Sequence, residues 1–183
     1  NAGFRPILAV DSDASATRTY MYNDPTIAEA DVLTGDVRDL EIEDLRRRLD
    51  GRQLDLMLGA PPCQGFSNAG KRTKLAHFAR KALQGYSVDR DKRNYLFEYL
   101  IGAALQLKPT LFLMENVPGM DTKRNGGPSF MQTAALMLEQ GGYATAIWKL
   151  NAVSFGVPQK RLRKFLVASL TGSVPSFPES DFQ

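Results

Sequence analysis

The stretch Leu54-Asp-Leu-Met-Leu-Gly-Ala-Pro-Pro-Cys-Gln64 carries the strongest structural signal in the chain. Its apolar run, Leu54 to Leu58, is short and predicts a buried β-strand. Pro61 and Pro62 end that strand and stiffen the backbone directly before Cys63, because proline fixes φ and has no amide hydrogen. The sequence therefore predicts a thiol at a rigid strand end, from which a nucleophile can reach a large substrate.

On both sides of this stretch, strand-like apolar runs alternate with helical patterns. Strands are predicted over 5–10, 30–33, 54–58, 110–114, 143–150 and 165–170. Helices are predicted from N-cap candidates at 11–13 to about 22, and over 42–49, 95–107 and 129–139. The alternation favours an α/β fold with a doubly wound sheet, and the last two strands are expected to be antiparallel neighbours.

Polar residues follow the predicted strands at one end. Asp11 follows the first strand, Asp36 lies past the second, Cys63 follows the third, and Glu115-Asn116 follows the fourth. In open α/β sheets, ligands bind at the carboxyl ends of the strands. This placement predicts that these residues belong to a functional site.

The composition is that of a soluble globular domain. The chain has 183 residues, of which 43% are hydrophobic and 23% are charged. No apolar run approaches the roughly 20 residues that span a bilayer, and no signal-peptide pattern opens the chain. The single cysteine excludes an internal disulfide and favours a cytoplasmic location. With one cysteine and one histidine, no metal site is expected.

The charge is small overall but uneven. The net charge is +3, while residues 71–93 carry eight Lys/Arg against two Asp, and residues 149–164 carry five Lys/Arg and no acid. The rest of the chain holds 10 of the 23 bases and 18 of the 20 acids. Two basic segments on an acidic body indicate a phosphate-rich partner. Solvated loop charge is the alternative interpretation.

Four motifs in order carry a resemblance to a known family. They are Gly59-Ala-Pro-Pro-Cys-Gln-Gly-Phe-Ser67, Arg93-Asn-Tyr-Leu-Phe97, Met114-Glu-Asn-Val117 and Gly156-Val-Pro-Gln-Lys-Arg-Leu-Arg163. Together with the opening residues 2–13, they resemble the DNA (cytosine-5) methyltransferase family over nearly the whole chain. The resemblance implies a Rossmann-like, S-adenosyl-L-methionine-dependent methyltransferase sheet.

The resemblance implies covalent catalysis by Cys63. Its thiolate would add to carbon 6 of a flipped cytosine, which makes carbon 5 nucleophilic toward the methyl group. A buried, inert cysteine is the alternative for a lone cysteine without this motif.

The other catalytic roles fall on Glu115, Arg161 and Arg163. Glu115 would address ring nitrogen 3 and the exocyclic amine of cytosine. The two arginines alternate about Leu162, so an extended segment would place both on one face. Arg163 would reach the cytosine carbonyl oxygen, and Arg161 the backbone around Cys63; a basic strand edge is the alternative.

The resemblance also implies where S-adenosyl-L-methionine binds. Asp11 would accept hydrogen bonds from the ribose hydroxyls, and Asp36 would bind the adenine amine. A helix N-cap is a competing interpretation for Asp11 and Asp13, of which one could cap while the other binds. The remaining residues assigned to the cofactor are Ser12, Val37, Pro61 and Leu96.

Double-stranded DNA is the implied partner. The basic stretch 64–93 would form a flexible lid that closes over the DNA. No membrane or metal partner is expected. The residues assigned to the substrate or to the loops around it are Pro62, Gln64, Ser67, Lys71, Arg72, Asn116 and Gln159. Of these, Asn116 would fix the turn and the backbone around Cys63.

Two departures from the family pattern qualify this interpretation. We expect residues 1–171 to be a partial catalytic domain without the family's first strand and glycine-rich turn. Residues 172–183 would be an exit linker toward an absent target-recognition domain, which a complementary chain could also supply. The chain alone is therefore expected to be inactive.

The expected setting is bacterial restriction–modification, in the cytoplasm and associated with the nucleoid. Two alternatives stay open. One is a tRNA cytosine-5 methyltransferase of the same fold, and the other is a non-catalytic nucleic-acid-binding remnant.

Overall fold

The computed structural model describes residues 3–62, 96–121 and 127–180. Contacts divide the chain into two compact units, residues 1–53 and 54–183. The single domain predicted over 1–171 stays a prediction. Within the described ranges, no helix combines the length and the apolar character that crossing a bilayer requires.

The first unit is a small α/β arrangement. Its elements are β1 (Ala9–Asp11), α1 (Ala14–Asn23), β2 (Val32–Thr34) and α2 (Ile42–Leu49). The strands β1 and β2 are parallel, and Ala9 lies opposite Val32. Both strands begin later than predicted, because residues 29–31 form a 3-10 turn and the pairing starts only at these two residues.

The second unit is a four-stranded mixed sheet with helices. Its elements are β3 (Leu56–Gly59), α3 (Leu96–Leu107), β4 (Leu111–Asn116), α4 (Phe130–Gln140), β5 (Ala144–Asn151) and β6 (Leu162–Ser169). The strand order is β3-β4-β6-β5. β3 is parallel to β4, whereas β6 is antiparallel to both β4 and β5. The predicted antiparallel pairing of the last two strands is confirmed.

β6 begins three residues before the predicted start at Phe165. Its ladder with β5 continues to the pair Asn151 and Leu162. Charged residues at 163 and 164 interrupt the apolar run, so the hydrophobic pattern does not predict this part of the strand. The correction matters because it places Arg163 inside the sheet.

The core of the second unit lies between the sheet and its helices. Phe112 and Met114 of β4 and Leu166 of β6 are fully buried, together with Phe97 and Ile101 of α3. Burying such a side chain contributes about 1.5–3 kcal/mol. Burial alternates along β4, so its last two residues present their side chains to opposite faces. A rigid core therefore supports the end of β4.

Helix α3 packs closely against the end of β3. A Cβ atom placed on Gly59 would lie 2.1 Å from Cδ2 of Leu100. Only a residue without a side chain leaves room for this leucine in its present position. The glycine that opens the Gly-Ala-Pro-Pro-Cys motif thus has a packing role.

The chain after β6 has no helix or strand through residue 180. Phe177 nevertheless contacts β5, with its ring edge-on to Trp148 at a centroid distance of 5.8 Å. At least part of the predicted exit linker is therefore packed against the sheet. Its direction toward another domain stays a prediction.

Candidate active site

Glu115 and Asn116 are the last two residues of β4, and they point to opposite faces of the sheet. Asn116 is 2% exposed and lies on the face that carries the core. The side chain of Glu115 is 30% exposed on the other face. One residue is thus placed to support structure, and the other is accessible to a substrate.

Glu115 meets both predicted arginines. Its Oε1 lies 2.7 Å from Nε of Arg163 and 3.9 Å from Nη2 of Arg161. The antiparallel register pairs Glu115 with Phe165, which puts Arg163 on the diagonal, within reach of a long side chain. The expected convergence of the two arginines on one side is therefore confirmed.

Asn116 connects β4 to the segment that follows β3. Its Nδ2 donates a hydrogen bond to the carbonyl oxygen of Pro61 at 3.0 Å. Its Oδ1 accepts from the backbone N–H of Val117 at 2.9 Å. Both ends of the buried amide are satisfied, which buried polar groups require. The hydrogen bond fixes the backbone two residues before Cys63.

Several predicted site residues lie outside the described part of the chain. The described segment after β3 ends at Pro61, which is half-buried, and Pro62, which is exposed. The predicted residues beyond it are Cys63, Gln64, Ser67, Lys71 and Arg72, and the predicted lid over 64–93 lies there as well. Their roles stay predictions.

Gln159 lies in the turn that leads into β6. Gly156 adopts a left-handed conformation there, with φ 77°, which favours glycine. The backbone N–H of Gln159 donates to the carbonyl of Val157 at 2.6 Å, and the side chain is exposed. The N–H of Ala152 donates to the carbonyl of Arg161 at 3.0 Å, which closes the base of the turn.

The predicted cofactor residues of the first unit lie at the carboxyl ends of β1 and β2. Asp13 caps α1, because its Oδ1 accepts from the N–H of Ser15 at 2.7 Å. Asp11, the last residue of β1, accepts from the N–H of Asp13 at 2.8 Å through Oδ1 and is exposed. Of the two competing acids, Asp13 is thus the N-cap. Ser12 between them is also exposed.

Asp36 lies two residues beyond β2, and Val37 begins a 3-10 helix after it. Oδ1 of Asp36 accepts from both Nε and the backbone N–H of Arg38 at 2.9 Å. The side-chain hydrogen bond to Arg38 is the largest cause that lowers the pKa of Asp36 to about 2. The carboxylate is therefore an ionised acceptor at any working pH.

Leu96, the remaining predicted cofactor residue, is the first residue of α3 and is half-buried. It belongs to the same unit as Pro61, whereas Asp11 and Asp36 belong to the other unit.

The sequence did not single out a second ion pair on β6. Nζ of Lys164 donates to Oδ2 of Asp121 at 2.6 Å, and Oδ1 of Asp121 accepts from the hydroxyl of Ser129 at 2.9 Å. The spacing Ser129-x-x-Gln132 is a capping-box pattern, which agrees with the predicted start of α4 at Ser129. No sequence signal pairs Lys164 with an acid 43 residues away.

Comparison with known proteins places this arrangement in a family. A family model described as C-5 cytosine-specific DNA methylase matches residues 1–183. Type II methyltransferase M1.HphI of Haemophilus parahaemolyticus is 34% identical over 97% of this chain and 43% of that protein. Type II methyltransferase M.DdeI of Desulfomicrobium norvegicum is 32% identical over 91% of this chain and 35% of that protein.

The solved structures agree with the sequence comparison. A mutant of Spodoptera frugiperda DNMT2 superposes with a TM-score of 0.65 at 25% identity, over 97% of this chain and 46% of that one. The superposition confirms the predicted α/β methyltransferase fold. The chain spans less than half the length of each of these three relatives. With the match of the family model over all 183 residues, the chain belongs to the C-5 cytosine-specific DNA methylase family.

Proposed function

We propose that this chain is part of the catalytic core of a DNA cytosine-5 methyltransferase of restriction–modification type. The observation that carries the proposal is the group at the end of β4. Glu115 is paired with Arg163, and its neighbour Asn116 is bonded to the backbone that leads to Cys63. The names of the Type II methyltransferase relatives support the restriction–modification setting.

The proposed reaction begins with the Cys63 thiolate, which attacks carbon 6 of a cytosine turned out of the duplex. A sulfur–carbon bond forms, the ring loses its conjugation, and carbon 5 becomes nucleophilic. Carbon 5 would take the methyl group as the bond between that methyl carbon and the donor sulfur breaks, so that the donor leaves as a neutral thioether. Carbon 5 then loses its proton to water. The electron pair of that C–H bond restores the ring double bond and expels the thiolate, so Cys63 is regenerated.

Glu115 would select and activate the base. As a carboxylate it can accept a hydrogen bond from the exocyclic amine of cytosine, which distinguishes cytosine by its pairing edge. A proton shared with ring nitrogen 3 makes carbon 6 more electrophilic. Arg163, which forms an ion pair with Oε1, would orient the carboxylate and stabilise charge at the cytosine carbonyl oxygen. Arg161 would contact the loop that carries Cys63.

The residues of the first unit fit S-adenosyl-L-methionine, which supplies the methyl group when bound. The exposed carboxylate of Asp11 can accept hydrogen bonds from the ribose hydroxyls. The ionised carboxylate of Asp36 can accept a hydrogen bond from the adenine amine. Val37 is the next residue in the chain and begins the 3-10 helix. Ser12 would complete this side of the site. Pro61 and Leu96 of the second unit are assigned to the cofactor by the sequence resemblance alone.

The basic stretch 64–93 would close over the DNA. Its lysines and arginines would neutralise phosphates, and the contact is therefore expected to weaken as salt rises. Within it, Ser67, Lys71 and Arg72 would contact the DNA backbone. Pro62, Gln64 and Gln159 would shape the pocket around the flipped base.

The test is transfer of a labelled methyl group by the complete protein that contains these residues. We expect label in duplex DNA at cytosine carbon 5 and none when Cys63 is replaced by Ser. Undiminished transfer by the C63S variant would end the mechanistic claim. Label in tRNA but not in DNA would favour the RNA-methylating alternative, and DNA binding without cofactor binding would favour a non-catalytic role.

A matched reaction with the 183-residue chain alone tests a second part of the proposal. Because the chain spans 43% of M1.HphI and 35% of M.DdeI, we expect it to transfer little or no methyl group by itself. Robust turnover by the isolated chain would refute this expectation.

A further inference from the structure

Two adjacent residues of β6 pair with acids on opposite faces of the sheet. Arg163 pairs with Glu115, whereas Lys164 pairs with Asp121 on the face that carries Asn116. The side chains of Lys164 and Asp121 are 19% and 20% exposed, so this ion pair is largely shielded from water. Shielding strengthens the attraction and makes the loss of one partner costly.

Asp121 also reaches the start of α4. Its Oδ1 accepts from the hydroxyl of Ser129, which is fully buried. Ser129 and Gln132 form a reciprocal capping box at the first turn of α4. The carboxylate of Asp121 thus connects β6 to the N-terminus of that helix. Such a connection allows Asp121 little freedom to move.

Asp121 ends the turn that follows β4, so its contacts with Lys164 and Ser129 also hold the segment next to Glu115. Residues 118–121 form a 3-10 helix directly after the end of β4. The near end of this turn is fixed by the hydrogen bond from Asn116 to Pro61. Its far end is fixed by Lys164 and Ser129. Both ends of the segment that follows Glu115 are therefore held.

We infer that Lys164 and Asp121 are positioning residues for Glu115 and Asn116, an inference that rests on the proposed methyl-transfer function. The ion pair fixes the register of the last residues of β4 on β6. That register puts Glu115 on the diagonal from Arg163. Without the ion pair, the end of β4 and the turn after it gain freedom, and Glu115 loses its fixed orientation toward the base.

The test compares kcat and KM for duplex DNA in the complete protein and its K164M, D121N and K164M/D121N variants. Misplacing a catalytic group by about 1 Å can cost on the order of 100-fold in rate. We expect each single variant to lower kcat by about 10- to 100-fold while KM for DNA changes less than about threefold. The double variant should be no slower than the slower single variant, because both changes break one interaction.

Two further variants separate positioning from general destabilisation. K164R keeps the charge and should restore kcat to within about threefold of the parent. K108M removes another lysine hydrogen bond, from Lys108 to the carbonyl of Gly141 at the other end of the unit, and should leave kcat unchanged. All rates are measured where circular dichroism shows folded protein. If K164M does not fold, the double variant, which leaves no buried unpaired charge, supplies the measurement.

The outcomes distinguish this inference from the proposed function. No transfer by the parent protein would overturn both. An active parent whose K164M and D121N variants keep full kcat would overturn the inference alone. A loss of rate in K164M that K164R does not restore, and that follows the unfolded fraction, would also overturn it.

Discussion

The side-chain amide of Asn116 donates a hydrogen bond to the carbonyl oxygen of Pro61 at 3.0 Å, across 55 residues of sequence. This bond joins the end of β4 to the segment that follows its parallel neighbour, β3. Glu115 directly precedes Asn116, and Cys63 follows Pro61 by two residues in the sequence, so the bond joins the stretches that carry the predicted base-binding acid and lead to the predicted nucleophile. It is the direct structural connection between the two parts of the candidate site.

Replacing Asn116 with Ala removes this bond and the one that Oδ1 makes with Val117. We expect the free energy of unfolding to fall by about 1–3 kcal/mol, since the change leaves buried polar groups without partners. Methyl transfer should fall as well. Asn116→Asp is the matched variant, because it keeps an acceptor for Val117 but has no donor for Pro61. Denaturant titration of both variants checks the prediction, and unchanged stability of N116A would contradict it.

Replacing Glu115 with Gln keeps the size of the side chain but removes its charge. We expect kcat to fall by about 100- to 10,000-fold, the range typical of a lost acid–base group. Glu139→Gln is the control, because Glu139 is an exposed acid near the end of α4. Single-turnover methyl transfer measures both variants. A rate for E115Q within about threefold of the parent would contradict the role proposed for Glu115.

Asp36 should titrate with a midpoint of about pH 2, because the Arg38 side chain donates to its carboxylate. Its folded pKa lies below the unfolded value, so its contribution to stability is present above about pH 4 and is lost as the pH falls toward 2. Arg38→Gln should raise the midpoint toward the ordinary value of 3.8. Carboxyl NMR titration measures both proteins, and equal midpoints would contradict the assigned cause.

Replacement by alanine should have opposite effects on stability at two of the glycines. Gly59→Ala places a methyl group 2.1 Å from Cδ2 of Leu100, and should cost about 1–3 kcal/mol because the Leu100 side chain, which packs against the core, must move. Gly102 lies inside helix α3, and a Cβ added there has nothing within 4 Å. Gly102→Ala should therefore stabilise the folded protein by about 0.5–1 kcal/mol. Thermal unfolding of both variants tests this, and a stabilising G59A would contradict the close packing.

Local signals predicted the helices well. The predicted span of α2 is the observed one, α3 begins one residue later than predicted, and α4 begins and ends one residue later than predicted. The signals that predict a helix are its capping residues, its flanking glycines and its 3.6-residue periodicity, and all of them lie within the helical segment or next to it. The alternation of Arg161 and Arg163 similarly predicted that both would turn to one side. These features depend on neighbours in sequence.

The features that the sequence did not predict depend on contacts between residues that are far apart in the sequence. β1 and β6 start where their partner strands allow pairing, and not where the apolar runs start. The partner of Lys164 is 43 residues away, and the partner of Asn116 is 55 residues away. No local pattern encodes such contacts. The sequence assigned Asn116 to the backbone around Cys63, but it did not identify the carbonyl oxygen of Pro61 as the bonding partner.

The central claim is that Cys63 attacks carbon 6 of cytosine, and trapping the adduct tests it most directly. With 5-fluorocytosine in a duplex pool of random sequence, carbon 5 has no proton to lose after methylation, so the sulfur–carbon bond cannot break. We predict that the complete protein, supplied with S-adenosyl-L-methionine, forms a denaturation-resistant complex whose DNA is attached to Cys63, as mass spectrometry of the digested complex would show. Absence of a complex from a protein that methylates ordinary duplex DNA, or an adduct on another residue, would contradict the claim.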